Sequence, residues 1–199
     1  MKILGAGDFH GDIEKTKKLA ELAEKEKVDL IILCGDLQEE DSIDNILAPF
    51  KEKNQKILLI GGNHESLATA EFLASINEAK NIHGYSVRYQ DIGIFGCAGA
   101  DVGLTSLTEE QIFDYLKQGF DKVNYLKKKI MVTHIHPSYT MMEKMSHFIR
   151  GSKAVTKAID EFKPDILICG HVHEAHGLEE QLKDTKIINP GPDGKIFEL

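Results

Sequence analysis

The sequence predicts an α/β protein whose sheets are mixed rather than purely parallel. Short apolar runs alternate with longer amphipathic ones through the first half, and short paired β-rich pieces enter in the second half. Alternation of the first kind builds parallel strands through crossover helices, whereas closely coupled strands build antiparallel edges. A third observation locates the chemistry: five of the apolar runs are followed at once by Asp, Asn or His.

Residues 2–6 read as a buried strand. Residues 13–25 read as a helix, because Ile13, Thr16, Leu19, Ala20 and Ala23 recur along one side, and Asp12 stands where a cap is needed. Residues 29–34 (DLIILC) are a strand, apolar after the first residue. Residues 42–53 read as a second helix capped by Ser42 or Asp41, residues 56–60 (KILLI) as a third strand, and residues 66–79 as a third helix. The pattern changes between about residues 81 and 100, where 85–89 and 92–96 flank Gln90-Asp91 and read as an antiparallel hairpin. Residues 107–126 look helical, 129–133 (KIMVT) strand, 152–162 helix and 165–169 (DILIC) strand. The tail alternates strand-like pieces, 186–188 and 195–198, around Asn189-Pro190-Gly191-Pro192.

Composition narrows the function. A chain of 199 residues suits one domain over 1–199, large enough to bury a core without staples. Lys and Arg number 24 against 32 Asp and Glu, a net charge of −8, and Arg occurs only at Arg88 and Arg150. Duplex nucleic acid is therefore not an expected partner, since it needs a basic face. Cys34, Cys97 and Cys169 are odd in number and widely spaced, which argues for a reducing compartment rather than a disulfide framework. Residues 1–5 meet Asp8 and His10 too soon for a secretory core, and no apolar run has the length of a membrane span. The expectation is a cytoplasmic protein with no membrane partner, and a homo-oligomer stays open.

The polar clusters carry the functional argument. Asp8-Phe9-His10-Gly11 follows the first strand, Gly35-Asp36 the second, Gly61-Gly62-Asn63-His64-Glu65 the third, His134-Ile135-His136 the run KIMVT, and Gly170-His171-Val172-His173 the run DILIC. Ligands of open α/β sheets bind outside the carboxyl ends of the strands, so clusters at five such ends converge if the strands share a direction. Each cluster alone has a bland reading, because a lone His at a strand end is ordinarily a hydrogen-bonded loop residue; the signal is all five in order. The donors are O- and N-rich, with Cys34 and Cys169 read as small core residues. Such a set suits manganese, iron, zinc or cobalt, and it is too large for one ion and about right for two. Gly5-Ala6-Gly7 with Gly11 misses a dinucleotide fingerprint, since His10 stands at the third glycine position.

In these residues the sequence resembles the calcineurin-like metallophosphoesterase family. That family's pattern is Asp-x-His, Gly-Asp, Gly-Asn-His-Asp/Glu, a lone His and Gly-His-x-His, met here by Asp8/His10, Asp36, Asn63/His64, His134 and His171/His173. The tail, with GHVHEAHG and IINPGP, is similar to the small prokaryotic branch of predicted phosphoesterases. The resemblance implies two mixed sheets packed face to face and flanked by helices, a four-layer αββα sandwich. It implies a metal-dependent phosphoesterase that hydrolyses diesters or monoesters with water activated between two divalent ions, manganese first, with iron, zinc, cobalt or nickel as alternatives. Asp8, His10 and His173 would hold one ion, Asn63, His134 and His171 the other, and Asp36 would bridge them. His64 would stay off the metals, near the leaving group of a small phosphoester substrate.

The chain departs from the pattern where relatives often carry Pro two residues after the lone His. His136 stands there, as a partner to a ligand, a substrate contact or a competing ligand. Between it and the 152–162 helix, Arg150 is a candidate phosphate clamp, and the helix start at Gly151-Ser152 a candidate phosphate site. Met141, Met142 and Met145 read as lid or core, His147 and His176 stay open, and the insert 98–122 shapes a pocket or an interface. Two other functions remain: a binding or scaffolding member of the fold, and a nuclease for short single strands, which the charge disfavours.

Overall fold

The apolar runs fold into two stacked sheets, seen in a computed structural model that describes residues 1–199 except Glu40, Asp41, Ile43 and His147. In chain order the first half comprises β1 (Lys2–Ala6), α1 (Ile13–Lys25), β2 (Leu30–Cys34), α2 (Ala48–Glu52), β3 (Ile57–Ile60), α3 (Leu67–Ile76) and β4 (Lys80–Asn81). The second comprises β5 (Ser86–Tyr89), β6 (Ile92–Cys97), α4 (Glu109–Phe120), β7 (Lys128–Thr133), α5 (Met141–Met145), α6 (Lys153–Phe162), β8 (Ile166–Ile168), a single 3₁₀ turn (His173–Ala175), β9 (Glu179–Leu182), β10 (Thr185–Ile188) and β11 (Lys195–Glu198).

One sheet has the order β11-β1-β2-β3-β4 and the other β5-β6-β7-β8-β10-β9. Each is parallel through its middle, with antiparallel strands at three of the four edges, β11 on β1, β5 on β6 and β9 on β10, while the fourth edge, β4, is parallel to β3. The register between β1 and β2 pairs Ile3 with Leu30 and Ala6 with Leu33. That between β6 and β7 pairs Ile92 with Lys128 and Cys97 with Thr133.

The strands are apolar on both faces because each face has its own core. On β2, Leu30, Ile32 and Cys34 point between the sheets, where they meet Ile130, Val132, Ile166 and Ile168. Ile31 and Leu33 point the other way, onto Leu19, Ala20 and Leu73 of α1 and α3. On the far side, Met131 and Leu167 pack under Leu116 of α4 and Ala158, Ile159 and Phe162 of α6. Three stacked cores therefore hold four layers, helices–sheet–sheet–helices.

The helices begin where their caps lie. Asp12 accepts from the backbone N–H of Glu14 and Lys15. Thr108 and Gln111 form a reciprocal capping box at α4. The helix expected over 42–53 is much shorter, starting only at Ala48. Pro49 is the reason: its ring collides with the carbonyl four residues back and it lacks an N–H, so it fits only the first turn. Ile46 and Leu47 enter the core as a turn instead. Of the two caps considered for that helix, Ser42 lies outside it and Asp41 outside the described residues.

Among the described residues no helix is long and apolar enough to cross a membrane. All three cysteines are free and buried.

Candidate metal centre

The carboxyl ends of β1, β2 and β3 from one sheet and of β7 and β8 from the other open onto one cleft. Four of the residues there have left-handed backbone: Asp8 at φ 54°, His10 at 48°, Asp36 at 49° and His171 at 72°. Each such residue costs on the order of 1 kcal/mol or more and persists only where surrounding contacts over-determine it. The contacts here are backbone hydrogen bonds between strand ends: Asp8 N–H to Gly35 O, His10 N–H to Asp36 O, and Gly170 N–H to His134 O. Glycine is required at two neighbours. A side chain at Gly62 would collide with the Asp36 carboxylate, and one at Gly170 would stand 2.8 Å from Asp8 Oδ2.

The side chains form groupings whose donor atoms lie within 4.8 Å of one another. One contains Asp8, His10, Asp36 and His173, and a second Asp36, His134 and His171. Asp36 is common to both. Asn63 joins the second, its Oδ1 2.9 Å from His134 Nε2, which is itself 3.2 Å from Asp36 Oδ2. His10 Nε2 and His173 Nε2 face each other at 3.1 Å. His171 Nε2 is buried with no hydrogen-bond partner among the described residues.

Three other ring nitrogens, Nδ1 of His134, His10 and His64, have partners of their own. His134 Nδ1 lies 2.9 Å from the Cys34 carbonyl, so it carries the hydrogen and Nε2 presents a lone pair in the neutral ring. Glu39 does the same for His10, with Oε1 3.0 Å from Nδ1. Its other oxygen lies 3.5 Å from His64 Nδ1, so one carboxylate spans both rings, and His10, Glu39 and His64 form a third grouping at the mouth. His64 leaves its backbone N–H on Asp36 Oδ1 at 3.0 Å. Glu65 is buried inside the loop, where Oε1 accepts from Gly62 N–H and Leu37 N–H and shapes the turn.

Burial pushes the Asp8 and Asp36 carboxyls up, yet both are held below the ordinary carboxylate range. His176 hydrogen-bonded to Asp8, and the charge on His134 beside Asp36, outweigh desolvation. Burial lowers His134, but Asp36 and Asp8 raise it to about 9. His171 is driven down to about 3 by burial and by the neighbouring His134 charge. His173 is also lowered, chiefly by burial. An unpartnered buried imidazole nitrogen, two imidazole nitrogens face to face, and two ionised carboxylates fit divalent cations with N and O preference. Among the described residues, none of the groupings contains a cysteine.

The other candidates lie elsewhere. His136 is fully buried, with neither ring nitrogen partnered among the described residues, and burial lowers it to about 4. It belongs to none of the groupings. Arg150 is exposed, and its neighbour Ile149 is the residue that lines the cleft. The start of α6 is not open to phosphate: the Glu109 carboxylate accepts from Ser152 Oγ, Lys153 N–H and Ala154 N–H. Met142 is core, while Met141 and Met145 are exposed. His176 reaches Asp8 Oδ2 at 3.2 Å. His147 lies outside the described residues. The sequence reading overlooked Glu39, which belongs to no motif; its only signal is its place three residues after Asp36 in the same loop.

The calcineurin-like phosphoesterase profile matches residues 1–175. The chain belongs to this family. Its fold is similar to that of TT1561 of Thermus thermophilus, at TM-score 0.77 and 19% identity, covering 96% of this chain and 90% of that one. It is also similar to a dimetal phosphatase from Danio rerio, at TM-score 0.66 and 11% identity over 94% and 86% of the two chains. A third likeness is to GAP50, the anchor in the inner membrane complex of Plasmodium, at TM-score 0.66 and 15% identity over 96% and 71%. No match was found among curated proteins. One fold thus serves a phosphatase and an anchor, so the chemistry of the cleft must choose between them.

Proposed function

We propose that this chain hydrolyses small phosphoesters, phosphodiesters or phosphomonoesters, with two divalent cations of which manganese is the first choice. The observation that carries this reading is Asp36, whose carboxylate belongs to both donor groupings. A carboxylate has two oxygens, and a shared one joins paired ions in phosphoester hydrolases. Asp8, His10 and His173 would complete one site, and Asn63, His134 and His171 the other. A complete set of eight motif residues favours an enzyme over a scaffolding member. Because both sheets contribute donors, residues 1–199 are read as one domain.

When bound, such cations lower the pKa of water and offset charge on the phosphoryl oxygens. The chain's own residues do the rest. Cys34 O and Glu39 orient the rings of His134 and His10 so that Nε2 of each faces the cleft. His64 stands half-exposed at the mouth, with Nδ1 toward Glu39. A protonated His64 therefore offers its Nε2–H to the departing oxygen. Glu65, raised to about 7 by burial and the Asp36 charge, stays with the loop it shapes.

The test is to strip the protein with chelator, reload it with manganese, count bound ions by elemental analysis, and assay bis(4-nitrophenyl) phosphate and 4-nitrophenyl phosphate. Two ions per chain and manganese-dependent turnover are expected. Fewer than two ions, or no turnover of either ester, would overturn the reading in favour of a binding role.

A further inference from the structure

His176 belongs to none of the five strand-end motifs, yet its Nε2 lies 3.2 Å from Asp8 Oδ2. An ionised carboxylate only accepts, so that nitrogen carries the hydrogen. The other oxygen, Oδ1, accepts from the His171 N–H at 3.2 Å. A carboxylate has room for roughly four such contacts, so each oxygen keeps a lone pair for a cation. Two hydrogen bonds on different oxygens fix the rotation of the carboxylate about its own axis. The Asp8 side chain is fully buried, and among the described residues His176 is the sole donor to Oδ2.

The fold holds the His176 ring from two sides. Residues 173–175 form a 3₁₀ turn, in which side chains three apart eclipse one another, and the His173 and His176 rings lie 5.0 Å apart. Against the ring stands the turn Asn189-Pro190-Gly191-Pro192. Gly191 has φ 56°, and a Cβ there would stand 2.7 Å from His176 Cγ, so the position requires glycine. Asn189 Nδ2 donates to Val172 O, Gly177 N–H to Asn189 O, and Gly7 N–H to Gly191 O. Gly7 precedes Asp8, so the tail turn joins the backbone that carries the carboxylate to the ring that faces it. The segment IINPGP thereby serves the centre without contributing a donor to it. The support is one-sided. Asp8 and His173 belong to the grouping with His10 and Asp36, and neither belongs to the grouping of Asp36, His134 and His171.

We propose that His176 is a positioning residue for one of the two cations, the one that Asp8, His10 and His173 would hold, and that it acts by donating its Nε2–H to Asp8. This rests on the two-cation reading.

The experiment titrates manganese into the chelator-stripped full chain by calorimetry, with bound ions counted by elemental analysis. The parent is compared with His176→Gln and His176→Phe. Glutamine carries an N–H at about the reach of Nε2 without the ring, and phenylalanine carries the ring without a donor. His176→Phe is expected to weaken one manganese by about 10–100-fold, as when a group that orients a ligand is lost, and to leave the other as in the parent. His176→Gln is expected to bind both as the parent does. A role in packing alone predicts the reverse order, with the ring tolerated and the amide damaging. Thermal unfolding in excess chelator checks that the metal-free variants fold; if His176→Phe does not, the smaller His176→Leu takes its place. Both ions bound normally without the donor, both ions weakened alike, or His176→Gln no better than His176→Phe overturns the proposal. A parent protein that binds two ions but turns over neither nitrophenyl ester overturns the phosphoesterase reading alone. One that binds fewer than two overturns both.

Discussion

The two sheets bring different chemistry to one cleft. Loops of the five-stranded sheet supply the two buried carboxylates of the donor groupings, Asp8 and Asp36, with His10, Asn63 and His64. Loops of the six-stranded sheet supply only imidazoles to the donor groupings, His134, His171 and His173. The strain divides unevenly too, since Asp8, His10 and Asp36 have positive φ on one side and His171 alone among the donors on the other. Attraction runs across the seam: His134, from the six-stranded side, helps hold Asp36 ionised, and Asp36 holds the proton on His134. Neither half contains a centre by itself. On the two-cation proposal, the anionic half would set how many cations bind and the imidazole half which kind.

That contrast leads to variants on each side. Asp36→Asn should abolish binding of both ions and lower activity beyond the roughly 100-fold typical when a group that only orients a ligand is lost. His171→Ala, from the imidazole side, should leave one ion in place. Elemental analysis of the two variants decides whether the carboxylate is shared; two ions retained by Asp36→Asn would show that it is not. His64→Ala should lower kcat by about 10²–10⁴-fold with both ions still bound, measured as turnover at saturating manganese. Full turnover of every substrate would remove His64 from the chemistry. Glu39→Gln keeps the shape but weakens the hold on His10 and His64, and a loss of about 10–100-fold in manganese affinity or turnover is expected.

The smallest effect is in pH. His134 is raised from 6.5 to about 9, so below that pH it carries a proton that a cation must displace. Manganese affinity should therefore climb by up to about tenfold per pH unit as pH rises toward 9 and level off above it. Calorimetry in buffers of different ionisation heat should show proton release on binding at pH 7. Binding without proton release would mean that His134 stays outside the coordination.

The strand ends could be read directly because each apolar run stops at a glycine or polar residue. The number of sheets could not. On β2, successive residues such as Ile31 and Ile32 face different cores, and both are apolar, so the period-two signal that would show two faces vanishes. The helix over 42–53 failed for a local reason, Pro49, and could have been shortened from the sequence. Glu39 had no such signal: an exposed glutamate in a loop resembles any other until its carboxylate is found against His10 and His64.

By itself the sequence determined which donors end which strands, since run length, turn residues and donor type are properties of neighbouring residues. Only the tertiary structure decided that Asp36 stands in both groupings, that Glu39 spans two rings, and that Glu109 already occupies the start of α6. These depend on groups far apart in the chain, such as His10 and His173, 163 positions apart and 3.1 Å across the cleft. Contacts of that kind are set by how two sheets stack, and the stacking depends on packing both faces of every strand at once.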